Sequence, residues 1–281
     1  MREFEGRVAV VTGAASGIGR GLARRFAEEG MHVVLADVER AALEAAAAEL
    51  RETGAELLAV ETDVSSADSV DALADRAYEA FGAVHVLCNN AGVGGGRGPT
   101  QDTTVADWQW ILGVNLWGVV HGVRSFVPRM LDGGEEGHVV NTSSGAGLAA
   151  TPFNTVYGTS KAGVVALTES LYLELELRGA PVSASVLCPG LIRTNILDAE
   201  RNRPEALRNP GEPATEGRAR ARLREAMASS GTPPAEVAAQ VVEAIREQRF
   251  WILTHDDIDP WVRQRADNIL MRSNPSPRLG G

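Results

Sequence analysis

Uninterrupted apolar runs alternate with stretches of helical periodicity along most of this chain, and that alternation constrains its fold more than any other feature. Residues 7–12 (RVAVVT), 32–37 (HVVLAD), 55–60 (AELLAV), 84–89 (VHVLCN), 137–144 (GHVVNTSS) and 181–190 (PVSASVLCPG) read as strands and their exits. They are apolar along most of their length, as strands covered on both faces are; a half-wetted strand would alternate with period two. Helical spacing occupies 17–29, about 39–53, 67–80, 103–131 and 155–178, with the fourth expected in two segments around Gly113. Gly54 and Gly179 stand where helices end. A helix at 234–247, a short strand near 250–253 and a helical tail from 258 follow. Strand–helix alternation with right-handed crossovers predicts an α/β fold: a Rossmann-like, doubly wound parallel sheet in a three-layer α/β/α sandwich. With 281 residues, 44% of them hydrophobic, the chain can bury one sizeable core, and a single domain over 1–281 is expected.

Two segments break the rhythm. Residues 198–233 are rich in Arg, Pro and Gly and follow the sixth strand. Ligands of open α/β sheets bind beyond the carboxyl ends of strands, so this segment is read as a substrate lid. Residues 258–281 form a C-terminal extension of unassigned role.

A formal net charge of −10 disfavours nucleic acid as a partner. Arg218, Arg220, Arg222 and Arg224 are spaced around a helix and read as a solvated surface. Cys88 and Cys188 end apolar runs and read as core thiols in a reducing, cytoplasmic setting, with no metal-ligand spacing. The opening MREFEGRVAV lacks the basic-then-apolar pattern of a signal peptide, and no membrane-spanning run is expected.

The first strand runs into TGAASGIG (12–19). Glycines at 13, 17 and 19 let the chain turn sharply and bring backbone N–H groups to a pyrophosphate at the start of the next helix. Asp37 ends the second strand, where a carboxylate can accept hydrogen bonds from both adenosine ribose hydroxyls and repel a 2′-phosphate. NAD is therefore favoured over NADP.

On these residues the sequence resembles the short-chain dehydrogenase/reductase family in its single-domain branch, and the resemblance runs over about 5–195. It implies cofactor contacts from the fingerprint residues Gly13, Ser16, Gly17, Ile18 and Gly19. TDV (62–64) implies Asp63 near the adenine amine and Val64 against the ring. NNAG (89–92) implies that Asn90 steadies the sheet while Ala91 and Gly92 pack on the cofactor.

The chemistry concentrates in YGTSK (157–161). Tyr157 and Lys161, four apart on a predicted helix, share a face, and Ser144 leaves the fifth strand 13 residues earlier. Oxidising a secondary alcohol needs a base for the hydroxyl proton while hydride leaves for nicotinamide. A free phenol, with a pKa of about 10, is a poor base at neutral pH, and an adjacent ammonium lowers that pKa. Lys161 can supply the charge and hold the nicotinamide ribose; Ser144 can donate to the substrate oxygen; Tyr157 transfers the proton in either direction. The resemblance adds Asn115 as the fourth catalytic residue, in a main-chain kink holding a proton-relay water. From PGLIRT (189–194) it implies Pro189 and Gly190 shaping the turn and Ile192 and Thr194 at the nicotinamide carboxamide.

Substrate walls are expected from 93–98, 145–153 and 191–230. Leu148, Phe153, Leu191 and Leu197 suggest an apolar pocket for a medium-sized alcohol or ketone, apolar or aromatic. Arg97, Arg201 and Arg203 could meet a substrate carboxylate, although a solvated placement is favoured. His121 reads as structural, His85 and His138 as surface positions, and Trp108, Trp110 and Trp117 as helix packing or subunit contacts. The resemblance implies a homodimer or homotetramer joined through the helices at 103–131 and 155–178. A non-catalytic NAD-binding redox sensor and an NADP-linked carbonyl reductase are the competing readings.

Overall fold

The computed structural model describes residues 1–96, 98–210 and 218–275. Arg97, residues 211–217 of the expected lid and the end of the tail lie outside the described residues.

The first half runs β1 (Val8–Thr12), α1 (Gly17–Glu28), β2 (His32–Asp37), α2 (Arg40–Arg51), β3 (Leu57–Glu61), α3 (Ala67–Phe81) and β4 (Val86–Asn89). It continues through α4 (Val105–Leu112), a π-helical turn (Gly113–Trp117) and α5 (Gly118–Gly133). The second half contains β5 (Gly137–Thr142), α6 (Gly145–Leu148), α7 (Thr155–Leu177), β6 (Val182–Cys188), α8 (Arg218–Ser230), α9 (Pro234–Glu247), β7 (Trp251–Leu253) and α10 (Asp259–Met271). The sheet order is β3-β2-β1-β4-β5-β6-β7, and every pairing is parallel. Val10 of β1 pairs with Val34 of β2 on one side and Leu87 of β4 on the other. The strand order reverses at that point, so a crevice opens beyond the carboxyl ends of β1 and β4.

The continuous apolar runs follow from burial on both faces. Ala9, Val11, Val33 and Leu35 join Leu22, Phe26, Val237, Val241 and Ile245 in the layer formed with α1 and α9. Val8, Val10, Val34 and Leu87 join Leu73, Phe126, Met130, Leu171 and Leu175 in the opposite layer. Each Val, Leu, Ile, Phe or Met side chain among them contributes about 1.5–3 kcal/mol on leaving water. No helix among the described residues is long and apolar enough to cross a membrane.

Two expectations change. His85 and His138 are not surface residues; they are 7% and 1% exposed. His85 Nδ1 accepts the Val8 N–H at the start of β1, and His138 Nε2 lies 2.7 Å from Ser185 Oγ across the β5–β6 pair. Their strand ends are covered, and polar groups there are kept by hydrogen bonds. Burial pushes the His138 pKa down to about 3, so its ring is neutral. Second, Arg203 is buried, 4% exposed, instead of solvated. The helical region 103–131 divides around Gly113 as expected, through the π-helical turn, in which Gly113 keeps ordinary helical dihedrals.

His121 is structural, its Nδ1 2.9 Å from the Val64 carbonyl. The first residues of the expected lid form short 3-10 turns at Ile196–Asn202 and Glu205–Leu207. The solvated arginine surface is only partly so: Arg220 donates to the Leu197 carbonyl and Arg224 pairs with Asp198. The C-terminal extension inserts Ile258 against Gly145 and lays α10 on the surface.

Candidate active site

One cavity of about 270 Å³ lies over the carboxyl ends of the strands. Its floor begins at the glycine turn. Gly13 and Gly17 have φ of 67° and 53°, the left-handed region that glycine adopts without strain. A Cβ on Gly13 would lie 2.9 Å from the Ala91 Cα, and one on Gly19 would overlap the Gly13 carbonyl. Ser16 caps α1 by position, yet its hydroxyl makes no capping bond to the helix. The first N–H groups of α1 are thus open to an anion, aided by the helix dipole. These features fit a dinucleotide pyrophosphate.

Asp37 lies at one end of the cavity. One carboxylate oxygen accepts the Ala15 N–H and the other the Glu39 N–H, both at 3.0 Å. Burial raises its pKa, and these backbone bonds oppose that shift. Asp63 and Val64 share the wall, with Asp63 exposed and Val64 buried beneath Gly118. Asn90 ties the strand ends together: its amide donates to the Thr12 carbonyl at 2.9 Å and its carbonyl accepts from Thr142 Oγ1 at 3.4 Å. Ala91 and Gly92 continue the wall.

At the other end, Tyr157 and Lys161 project from α7 into the same cavity, with Lys161 Nζ 5.7 Å from the Tyr157 ring centre. Lys161 is 2% exposed and donates to the Thr142 carbonyl at 2.9 Å. Burial lowers its pKa to about 8. The ammonium still predominates at neutral pH, and it remains the cation beside the phenol.

Asn115 occupies the π-helical turn and is fully buried. Its Oδ1 accepts the Val93 N–H at 2.8 Å, and its Nδ2 donates to the Val93 carbonyl at 3.0 Å and to Ser160 Oγ at 3.1 Å. A Cβ on Gly92 would stand 3.4 Å from both Asn115 Oδ1 and Lys161 Nζ, so the three groups converge. Adjacent serines divide the work. The Ser143 hydroxyl donates to the Lys161 carbonyl at 2.7 Å. Ser144 Oγ accepts the Ala146 N–H at 3.2 Å, which leaves its proton to donate. Ser143 borders the cavity and Ser144 is half-buried one residue beyond.

Pro189 and Thr194 line the cavity. Gly190 is exposed, its N–H donating to Thr254 Oγ1 at 3.0 Å. Ile192 is 4% exposed, packed in the core with α1 and α9, and is not among the residues lining this cavity.

Of the expected substrate walls, 93–98 and 191–230 contribute and 145–153 does not. Leu148 packs with Val165, Val186 and Ile258, Leu197 is buried, and Phe153 is 66% exposed. The apolar wall comes from Val93, Ile196, Ala199 and Pro204 of the expected segments, joined by Trp110 and Val114. Trp110 therefore does more than pack helices. Arg203, read as solvated, stacks 5.0 Å over the Trp110 ring and reaches Asp107 at 2.8 Å. Asn195, Arg201 and Asn202, within the expected 191–230 wall, also border the cavity, and Glu39, which no sequence pattern pointed to, joins them.

Comparison with known proteins agrees with this arrangement. The short chain dehydrogenase family model matches residues 7–205. A short-chain dehydrogenase/reductase from Burkholderia phymatum, solved in complex with NAD, is 48% identical, with both chains covered completely and a TM-score of 0.96. A CLA biosynthesis dehydrogenase/reductase of Lactiplantibacillus plantarum is 31% identical over 99% of this chain and 98% of its own length. A 1-deoxy-11-beta-hydroxypentalenate dehydrogenase of Streptomyces arenae is 36% identical over 94% of this chain and 87% of its own. The chain belongs to the short-chain dehydrogenase family of oxidoreductases.

Proposed function

We propose that the protein is an NAD-dependent dehydrogenase interconverting a medium-sized, apolar or aromatic secondary alcohol and its ketone. One observation carries this reading: Asp37 at the end of β2 and the Tyr157–Lys161 pair, tied to the end of β5 through Thr142, line one cavity, and β1 with its glycine turn lies between those strands. Nicotinamide, bound there, supplies the hydride acceptor. Tyr157 takes the alcohol proton at its phenolic oxygen, Lys161 favours the phenolate by its charge, and Ser144 donates to the substrate oxygen. Asn115 holds the Val93 backbone beside Lys161 and keeps that geometry. The Asp37 carboxylate favours unphosphorylated adenosine ribose, and the complex of the Burkholderia relative with NAD supports that preference.

The apolar wall of Trp110, Ile196, Ala199 and Pro204 matches an apolar ligand, and the start of the segment read as a lid supplies part of it. Trp117, Leu173 and Leu177, at 54%, 60% and 88% exposed, leave apolar area on the two long helical segments. A homodimer or homotetramer would cover it. A screen following NADH absorbance, with secondary alcohols in one arm and ketones in the other, tests the activity. Turnover of apolar secondary alcohols with NAD, and weaker turnover with NADP, is expected. Tight NADH binding with no turnover of any alcohol or ketone would favour the redox-sensor reading instead.

A further inference from the structure

Glu39 stands two residues past Asp37 and lines the same cavity. It receives Arg201 Nε and Nη2 at 3.1 and 2.6 Å, and Asn202 Nδ2 at 2.8 Å. These partners lie 162 and 163 residues further along the chain, in the segment that supplies the substrate wall. Glu39, Arg201 and Asn202 all line the cavity. One residue past Asn202, Arg203 lies against Asp107 and over Trp110. Residues 201–203 therefore join two anchors, Glu39 at the start of α2 and Asp107 on α4.

The anchors differ in kind. The Arg203 and Asp107 side chains are 3% and 8% exposed, whereas those of Arg201 and Glu39 are 39% and 29% exposed. An ion pair in contact with solvent is weak and screened by salt; a buried one is costly to break. The bridge thus has a firm end at α4 and a releasable end over the adenosine site.

Resting on the NAD reading above, we propose that Glu39 and Arg201 form a clasp that closes over the bound dinucleotide and couples its retention to the placement of the substrate wall. With the clasp open the cofactor passes; with it closed, Asn195, Ile196 and Ala199 are drawn into position beside the nicotinamide end. Both are positioning residues and neither takes part in proton or hydride transfer.

Stopped-flow NADH release from the full-length chain tests this, with the KM of an accepted alcohol measured alongside. Arg201→Met and Glu39→Gln should each accelerate release about three- to tenfold and raise the alcohol KM, with melting temperature unchanged. Raising salt should accelerate release from the unaltered chain but not from either variant. The charge-exchanged double variant, Glu39→Arg with Arg201→Glu, should recover slow release. Unchanged release in the single variants would overturn the clasp while leaving the cofactor reading intact. Faster release without recovery in the double variant would also overturn it, because the effect would not reside in the pair. Failure of the unaltered chain to bind NADH would overturn the cofactor reading and the clasp with it.

Discussion

The two ends of the cavity are built by different means. The cofactor end is made mostly of backbone. Gly13, Gly17 and Gly19 leave room for it, Asn90 laces the strand ends, and Asp37 is fixed by two N–H donors. The substrate end is made of side chains brought from distant parts of the chain. Arg203 reaches Asp107 from 96 residues away, and the wall of Ile196, Ala199 and Pro204 stands on that contact. A backbone-built site tolerates almost no added atom, whereas a side-chain-built site depends on its anchors. The comparison predicts steric failure at one end and unlatching at the other.

The largest expected effect is at the latch. Arg203→Met leaves the Asp107 carboxylate without its cation and should cost about 3 kcal/mol of stability. Asn209 and Thr104 still donate to that carboxylate, so the loss falls at the low end for a buried pair. Chemical denaturation of the variant measures it, and an unchanged midpoint would place the support of the wall elsewhere. Next comes Gly19→Ala, where the new methyl meets the Gly13 carbonyl. It should destabilise the fold by about 1–3 kcal/mol and weaken NADH binding with little change in substrate preference. Fluorescence titration with NADH separates these outcomes. A variant that bound NADH normally would remove the steric argument for the cofactor end.

Asp37→Ala should lower the preference for NAD over NADP by about tenfold, the loss of roughly one charge-assisted hydrogen bond's contribution. The ratio of kcat/KM for the two cofactors reads it directly. The smallest effect concerns Lys161. Its pKa in the folded chain is lowered to about 8 by burial, from 10.5. The unfolded chain then binds more protons between these values, so this group adds stability as pH rises through 8. Between pH 8 and 9 the gain is about 1 kcal/mol, and it should vanish in Lys161→Met. Burial raises the pKa of Cys188 to about 12 and that of Cys88 further. Their opposing contribution near pH 9 is common to both proteins and cancels in the difference. Equal pH profiles for the two would mean that the lysine is not desolvated as described.

The same contrast explains what could be read from sequence. Strand runs such as HVVLAD announce the sheet because both faces are buried. The glycine turn and Asp37 were legible because positive φ and close backbone approach demand particular residues at short range. Tyr157 and Lys161 were legible because one helix carries both. The wall segments 93–98 and 191–230 were legible by position after their strands, but the contacts that hold them were not, because Glu39–Arg201 and Asp107–Arg203 are long-range pairings that no local pattern encodes. Leu148 and Phe153 looked like pocket residues by position, yet the first packs under Ile258 and the second points to solvent. His85 and His138 were misplaced for the same reason: the covering of a strand end is a tertiary fact.

The proton-transfer assignment is tested most directly by Tyr157→Phe, which keeps the ring in place and removes only the hydroxyl. The account predicts NADH binding close to that of the unaltered chain and a fall in kcat of about 10²–10⁴-fold on an accepted alcohol. Retention of most of the NAD-linked turnover would contradict it.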